Sequence, residues 1–126
     1  MEALVIDDSR AMRRILARIL ADIGFSVSEA ANGSDGLEQL ERGARPHLAL
    51  VDWNMPVMNG YEFVRAVRSR PQFGSVRLIM VTTETGEKEM VKALTAGADE
   101  YVMKPFTKDV IIDKLQLLGL DPSTRA

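Results

Sequence analysis

The stretch Ala3-Leu4-Val5-Ile6-Asp7-Asp8-Ser9 sets four apolar residues directly before two carboxylates and a serine that can cap a helix. A short apolar run without alternation is typical of a strand that is covered on both faces. Apolar side chains then recur at helical spacing between Met12 and Ile23, and Gly24 can end that helix. The chain is therefore predicted to open with a buried strand that leads into a capped helix.

The same alternation of strand and helix continues along the chain. Further strands are predicted at Phe25-Ser26-Val27, Leu48-Ala49-Leu50-Val51, Leu78-Ile79-Met80-Val81 and Tyr101-Val102-Met103. Further helices are predicted from near Ser34 to Gly43, from Asn59-Gly60 through Val67, around Met90, Val91 and Leu94, and from Val110 to Leu118. Five such units predict a parallel sheet with right-handed crossovers and helices on both faces, which is a doubly wound α/β domain.

Length and composition limit the possible functions. With 126 residues the chain fits one domain, which we assign to residues 1–120, followed by a short tail at 121–126 and no output domain. The absence of cysteine and the single His47 exclude disulfides, thiolate catalysis and zinc sites built from Cys or several His. A net charge of −2 and short apolar runs favour a cytoplasmic protein that binds neither nucleic acid nor membrane.

Polar residues follow four of the five predicted strands. Asp7 and Asp8 come after the first, Asp52 after the third, Thr82 after the fourth and Lys104 after the fifth. In an open parallel sheet the carboxyl ends of the strands meet where ligands bind, so these side chains are expected to converge.

The converging groups have a definite chemistry. Neighbouring carboxylates repel one another by about 4 kcal/mol per pair at close range, and they therefore need a cation or a proton. Oxygen ligands suit Mg²⁺, while Lys104 and Thr82 can hold a phosphoryl group and Asp52 can act as its nucleophile. Taken singly, each motif also fits an ordinary turn, and it is the combination that indicates a site for phosphoryl transfer.

Six segments together resemble the receiver domains of bacterial response regulators, and among them the single-domain chemotaxis regulators. The segments are Val5-Ile6-Asp7-Asp8-Ser9, Leu50-Val51-Asp52-Trp53-Asn54-Met55-Pro56, Met58-Asn59-Gly60, Val81-Thr82, Gly97-Ala98-Asp99-Glu100-Tyr101 and Lys104-Pro105-Phe106. The resemblance covers nearly the whole chain and implies a flavodoxin-like, five-stranded sheet with strand order 2-1-3-4-5.

The resemblance also implies roles for the residues at the strand ends. Asp52 would accept a phosphoryl group from phosphohistidine on a sensor kinase or phosphotransfer protein, and Lys104 and Thr82 would bind that group. Mg²⁺ would be held by Asp8, Asp52 and the main-chain carbonyl of Asn54, with Asp7 acting through water. The bond between Lys104 and Pro105 would be cis.

Switching and phosphoryl lifetime are implied by further matching positions. Thr82 would move toward the phosphoryl group and Tyr101 would swing inward, which changes the face of the fourth helix, fifth strand and fifth helix where a downstream partner binds. Asn54 and Glu84 resemble a polar pair that speeds loss of the phosphoryl group. Thr83 stands where the family commonly has Ala or Gly, and its larger side chain would narrow access to the site.

Several alternatives remain open from the sequence. They are a phosphorelay or scaffold receiver outside chemotaxis, a DNA-binding regulator, and a Mg²⁺-dependent phosphatase of the haloacid-dehalogenase type. The last normally carries its nucleophile after the first strand, in an Asp-x-Asp pattern that Asp7-Asp8 does not match. We expect a monomer, or a dimer formed on phosphorylation. The arginines of the first helix are expected to be solvated, or else to dock an acidic phosphodonor; they are Arg10, Arg13, Arg14 and Arg18.

Overall fold

The computed structural model describes residues 1–84, 86–120 and 122. Strands and helices alternate along it as the sequence predicts. In chain order they are β1 (Glu2–Ile6), α1 (Arg10–Ile23), β2 (Ser26–Ala30), α2 (Gly33–Glu41), β3 (Leu48–Val51), α3 (Gly60–Arg68), β4 (Arg77–Thr82), α4 (Glu87–Ala96), β5 (Glu100–Met103) and α5 (Lys108–Leu117). Most of the tail expected at 121–126 lies outside the described residues.

The strands form one parallel sheet, and its order is β2-β1-β3-β4-β5. This confirms the flavodoxin-like fold. The strand order reverses between β1 and β3, and the site predicted from the sequence lies at the carboxyl ends of these two strands.

Each face of the sheet has its own apolar core. Leu16 and Leu20 of α1 pack with Ile111 and Leu115 of α5 on one face. The other face is covered by α2, α3 and α4, with Phe63 fully buried at its centre. Because both faces are covered, β3 is buried along its whole length, which explains why its sequence is a continuous apolar run.

The ends of the helices follow their capping residues. The side chain of Ser9 accepts a hydrogen bond from the Met12 amide, and α1 ends at Gly24, whose φ is 122°, as the sequence predicts. Asn59 and Glu62 form a capping box at the start of α3. A short 3-10 helix at Pro71–Phe73 was not predicted, although it buries Phe73 in the core.

Among the described residues, no helix combines the length and the apolar character needed to cross a membrane.

Candidate functional site

Three carboxylates meet at the carboxyl edge of the sheet. One oxygen from each of Asp7, Asp8 and Asp52 lies within 4.8 Å of the others. The Asp52 amide donates to the Ile6 carbonyl at 3.0 Å, which continues the pairing of β1 with β3 beyond the last strand residue. The main chain therefore holds the carboxylates together. Asp7 and Asp52 are buried, whereas Asp8 is exposed.

Lys104 balances part of this negative charge. Its Nζ lies 2.9 Å from a carboxylate oxygen of Asp7 and 3.5 Å from one of Asp52. The Lys104–Pro105 peptide bond that follows β5 is cis, the geometry that the resemblance implies. In the part of the chain that the structure describes, every ion pair of Asp7 and Asp52 is made with Lys104, so one ammonium group balances two of the three neighbouring carboxylates.

The carboxyl of Asp52 is less acidic than an ordinary aspartate. Burial is the largest cause of its raised pKa, and the negative charge of Asp7 adds to the effect. The charge of Lys104 and a hydrogen bond from the Thr82 hydroxyl oppose the rise in pKa without cancelling it. The site is therefore short of positive charge, and a hard divalent cation with oxygen ligands fits it.

Gly60 allows α3 to start directly against this site. A Cβ atom on Gly60 would collide with the carbonyl oxygen of Asp52, and the Gly60 amide donates to the Trp53 carbonyl at 2.9 Å. The loop between β3 and α3 is consequently folded tightly over the end of β3. Within it, Val57 has a φ of 68°, an unusual conformation for a β-branched residue.

Thr82 and Tyr101 connect the site with α4. Thr82 is fully buried at the end of β4, and its hydroxyl accepts a hydrogen bond from the Glu84 amide at 3.3 Å. Tyr101 also lies inside the molecule, and its hydroxyl donates to the Glu84 carbonyl at 2.6 Å. Burial, together with the charges of Glu84, Glu89 and Asp52, raises the pKa of Tyr101 to about 12.

Asn54 and Glu84 bridge the two loops beside Asp52. The side-chain amide of Asn54 donates to a carboxylate oxygen of Glu84 at 3.1 Å. The sequence groups these residues only through the family resemblance, and the structure brings them into direct contact. Thr83 lies beside this bridge in the chain and is exposed.

A family model described as the response regulator receiver domain matches residues 3–116. The chain belongs to this family. The receiver domain is 43% identical over 119 residues to chemotaxis protein CheY1 of Helicobacter pylori, covering 94% of this chain and 96% of that one. It is 38% identical to chemotaxis protein CheY of Pseudomonas aeruginosa, covering 92% of this chain and 94% of that one.

Solved structures agree with this assignment. The receiver domain matches the chemotaxis response regulator CheY4 of Vibrio cholerae with a TM-score of 0.85 and 35% identity, covering 93% of this chain and 97% of that one. It matches a CheY-like receiver domain protein of Methanospirillum hungatei with a TM-score of 0.83 and 34% identity, covering 97% and 94% of the two chains. Receiver domains bind Mg²⁺ at an acidic cluster, and Asp7, Asp8 and Asp52 form one here.

Arg13 also shapes this site in the receiver domain, although the sequence did not predict it. Arg13 is one of the arginines expected to be solvated, but its guanidinium donates to the Asp7 carbonyl at 2.8 Å and pairs with Glu29 at 3.1 Å. It therefore holds the end of β1 from the side of α1. No sequence signal identifies it, because helical spacing does not distinguish Arg13 from Arg14, which is mostly exposed.

Proposed function

We propose that this receiver domain is a single-domain response regulator that accepts a phosphoryl group on Asp52. The observation that carries the proposal is the position of Asp52, which is buried beside two further carboxylates and within reach of Lys104 and Thr82. This set of groups provides a carboxylate nucleophile together with donors for phosphoryl oxygens.

The transfer follows from the chemistry of these groups. A carboxylate oxygen of Asp52 attacks the phosphorus of a phosphohistidine on a sensor kinase or phosphotransfer protein, and the bond from phosphorus to the imidazole nitrogen breaks. Lys104 and Thr82 bind the phosphoryl oxygens. The raised pKa of Asp52 reflects its burial first and the charge of Asp7 second, and a cation bound beside it would favour the charged, nucleophilic form.

We assign the metal to the oxygen atoms at the same edge. Asp8, Asp52 and the main-chain carbonyl of Asn54 would hold Mg²⁺, which when bound supplies positive charge to the phosphoryl oxygens. Asp7 would act through water, because its two carboxylate oxygens already accept hydrogen bonds from the Ser9 amide and from Lys104. These donors keep the Asp7 side chain in a fixed orientation.

Phosphorylation would be transmitted through Thr82 and Tyr101 to the face made by α4, β5 and α5. Tyr101 already lies inward, so phosphorylation would stabilise this arrangement against an outward one. The face exposes apolar side chains that a downstream partner in chemotaxis or motility can cover, namely those of Val91, Leu94, Met103 and Val110.

Loss of the phosphoryl group would depend on the bridge between Asn54 and Glu84. Both side chains stand on loops that flank Asp52, and their mutual hydrogen bond orients them. They would present a water molecule to the phosphorus and thereby shorten the life of the acyl phosphate. Thr83 beside them would narrow the path of that water.

Intact-mass measurement with acetyl phosphate as phosphodonor tests the proposal. A gain of one phosphoryl group that requires Mg²⁺ and disappears in Asp52→Asn is the expected result. Thr95→Val, on the exposed side of α4, is a control that should behave as the native chain. No mass gain, and no binding of beryllofluoride, would instead indicate a receiver that serves only as a scaffold.

A further inference from the structure

The cleft between α3 and α4 carries positive charge that is not neutralised within the molecule. The cleft is open to solvent, has a volume of about 590 Å³ and contains no carboxylate among its lining residues. Arg65 of α3 and Lys92 of α4 face one another across it. Neither forms an ion pair with any residue that the structure describes.

The acidic residues nearest along each helix do not form ion pairs with these two cations. Glu62 precedes Arg65 by three residues, but its carboxylate accepts a hydrogen bond from the Asn59 amide in the capping box. Glu89 precedes Lys92 by three residues, and its carboxylate lies over Gly86 at the start of α4. Glu62 thus turns toward the amino end of α3. Glu89 lines a neighbouring cavity together with Glu84 and Lys92, but it forms no ion pair with Lys92.

An aromatic ring brings the two cations together. The Lys92 Nζ lies 4.4 Å from the centre of the Tyr61 ring, and the Arg65 guanidinium carbon lies 5.8 Å from it. Such contacts orient a cation but leave its full charge in place. Arg68 also lines the cleft, yet its guanidinium is committed to Asp99 at 2.9 Å.

We propose that this cleft binds an acidic segment of a partner protein. The charge of the site is complementary to such a segment, because Arg65 can bind a carboxylate with two hydrogen bonds and Lys92 supplies a second charge close by. An open cleft suits an extended peptide, whose alternate side chains point to one side. The charge of the whole chain, −2, makes this local excess of cations more distinctive.

The cleft is also physically connected to the phosphorylation site. Tyr61 stacks on Trp53, with ring centres 5.7 Å apart and planes 10° apart, and Trp53 directly follows Asp52 in the chain. Lys92 belongs to the helix that follows Thr82 and Glu84. A segment bound at Arg65 and Lys92 therefore contacts Tyr61, which stacks on Trp53 next to Asp52. Trp53 fluorescence should report the binding.

The test uses the full chain without Mg²⁺ and a short capped peptide in which Asp and Ala alternate, at about 0.01 M ionic strength, where screening is weak. Binding is followed by Trp53 fluorescence and by amide chemical shifts. Shifts are expected in α3 and in α4 around Lys92, and the same peptide with Asn in place of Asp should produce none. Arg65→Gln and Lys92→Gln should each weaken binding by about threefold.

Lys108→Gln is the matched control, because it removes one positive charge from α5 on the opposite face of the sheet. Unchanged affinity is expected there. Amide chemical-shift changes centred on α1 and weakened by Arg14→Gln would overturn the proposal, because the acidic peptide would then bind to α1. Equal shifts with inorganic phosphate at the same concentration would also overturn it, because the cleft would then be a site for small anions.

Discussion

The charge on Asp52 lowers local stability. Its carboxyl is buried next to Asp7, so in the folded chain the charged form is less favourable than in water, and its pKa is raised. A group with a raised pKa in the folded state contributes stability only while it is protonated. At neutral pH the charge on Asp52 therefore destabilises the fold when no metal is present.

Asp52→Asn should raise the free energy of unfolding by about 1–2 kcal/mol at neutral pH without divalent metal, because it removes one charge from the cluster. Lys104 keeps its closer contact with Asp7 in this variant. The gain should shrink as the pH falls and the native carboxyl becomes protonated. Urea unfolding across this pH range measures it, and a less stable variant at neutral pH would contradict the argument.

Tyr101 is a second residue whose titration should change the free energy of unfolding. Its pKa is about 12 in the folded chain against 10.0 for an ordinary phenol, so between these values the unfolded chain loses a proton that the folded chain retains. The free energy of unfolding should therefore fall as the pH rises from about 10 to 12. In Tyr101→Phe this component of the decline should be absent. If the free energy of unfolding fell equally in the two proteins, the folded chain would not be holding the proton on the Tyr101 phenol.

At the scale of secondary-structure elements, Arg68 ties three segments together. It stands at the end of α3 and donates to the carbonyls of Val76 at 2.8 Å and Gly97 at 2.9 Å. It also donates to Asp99, whose same oxygen accepts the Leu78 amide at 2.8 Å. The segment before β4 and the turn before β5 are thereby fixed to α3.

Arg68→Met should lower the free energy of unfolding by about 2–3 kcal/mol, because it leaves two half-buried carbonyls without their donor and leaves Asp99 with only its longer contact to Arg77. Thermal or urea unfolding measures the loss. Arg65→Met, on the exposed side of the same helix, is the matched control and should change stability by less than about 0.5 kcal/mol. Equal losses in the two variants would mean that Arg68 contributes only as a helix residue.

Sequence patterns predicted the strands and helices in which apolar side chains are buried and polar side chains are exposed. The apolar runs of β1, β3 and β4 and the capping residues Ser9 and Gly24 lie where they were expected. The predicted strand at 25–27 is shifted, since β2 is an edge strand with serines on its exposed side and its main-chain pairing with β1 extends to Ala30. Phe73 escaped prediction because a single apolar residue between Pro and Gly has no periodicity.

The part of the candidate site that the strand topology determines was predictable from the sequence. Strand ends in a parallel sheet share an edge, and this brings Asp7, Asp52 and Lys104 together in any such fold. The contacts of Arg13 and Arg68 with main-chain carbonyls depend instead on how helices pack on the sheet. No pattern of residue types along the chain carries that information.

At the scale of the whole molecule, metal binding at the acidic cluster would be linked to folding. The acidic cluster exists only in the folded chain, because its members follow β1 and β3, which are far apart in sequence. A ligand that binds only the folded state stabilises it in proportion to the logarithm of its concentration.

Mg²⁺ should therefore raise the free energy of unfolding of the native chain by about 1.4 kcal/mol for each tenfold rise in concentration above its dissociation constant. Asp52→Asn should respond much less, so that its advantage without metal narrows or reverses as Mg²⁺ is added. Differential scanning calorimetry over a Mg²⁺ series checks this. Equal responses of the two proteins would place the metal away from Asp52.

Helix α4 buries few of its side chains, and this affects how proteins of this kind can diversify. Of its 10 residues, Ala93 is the buried one, whereas α3 buries Phe63, Val64 and Val67. Apart from Met90 and Ala96, which pack against the core, substitutions at the remaining positions of α4 alter the outer surface without disturbing the core. A lineage that duplicates such a gene can change the partners of one copy by rewriting this single helix, while the acidic site and the sheet that carries it are inherited unchanged.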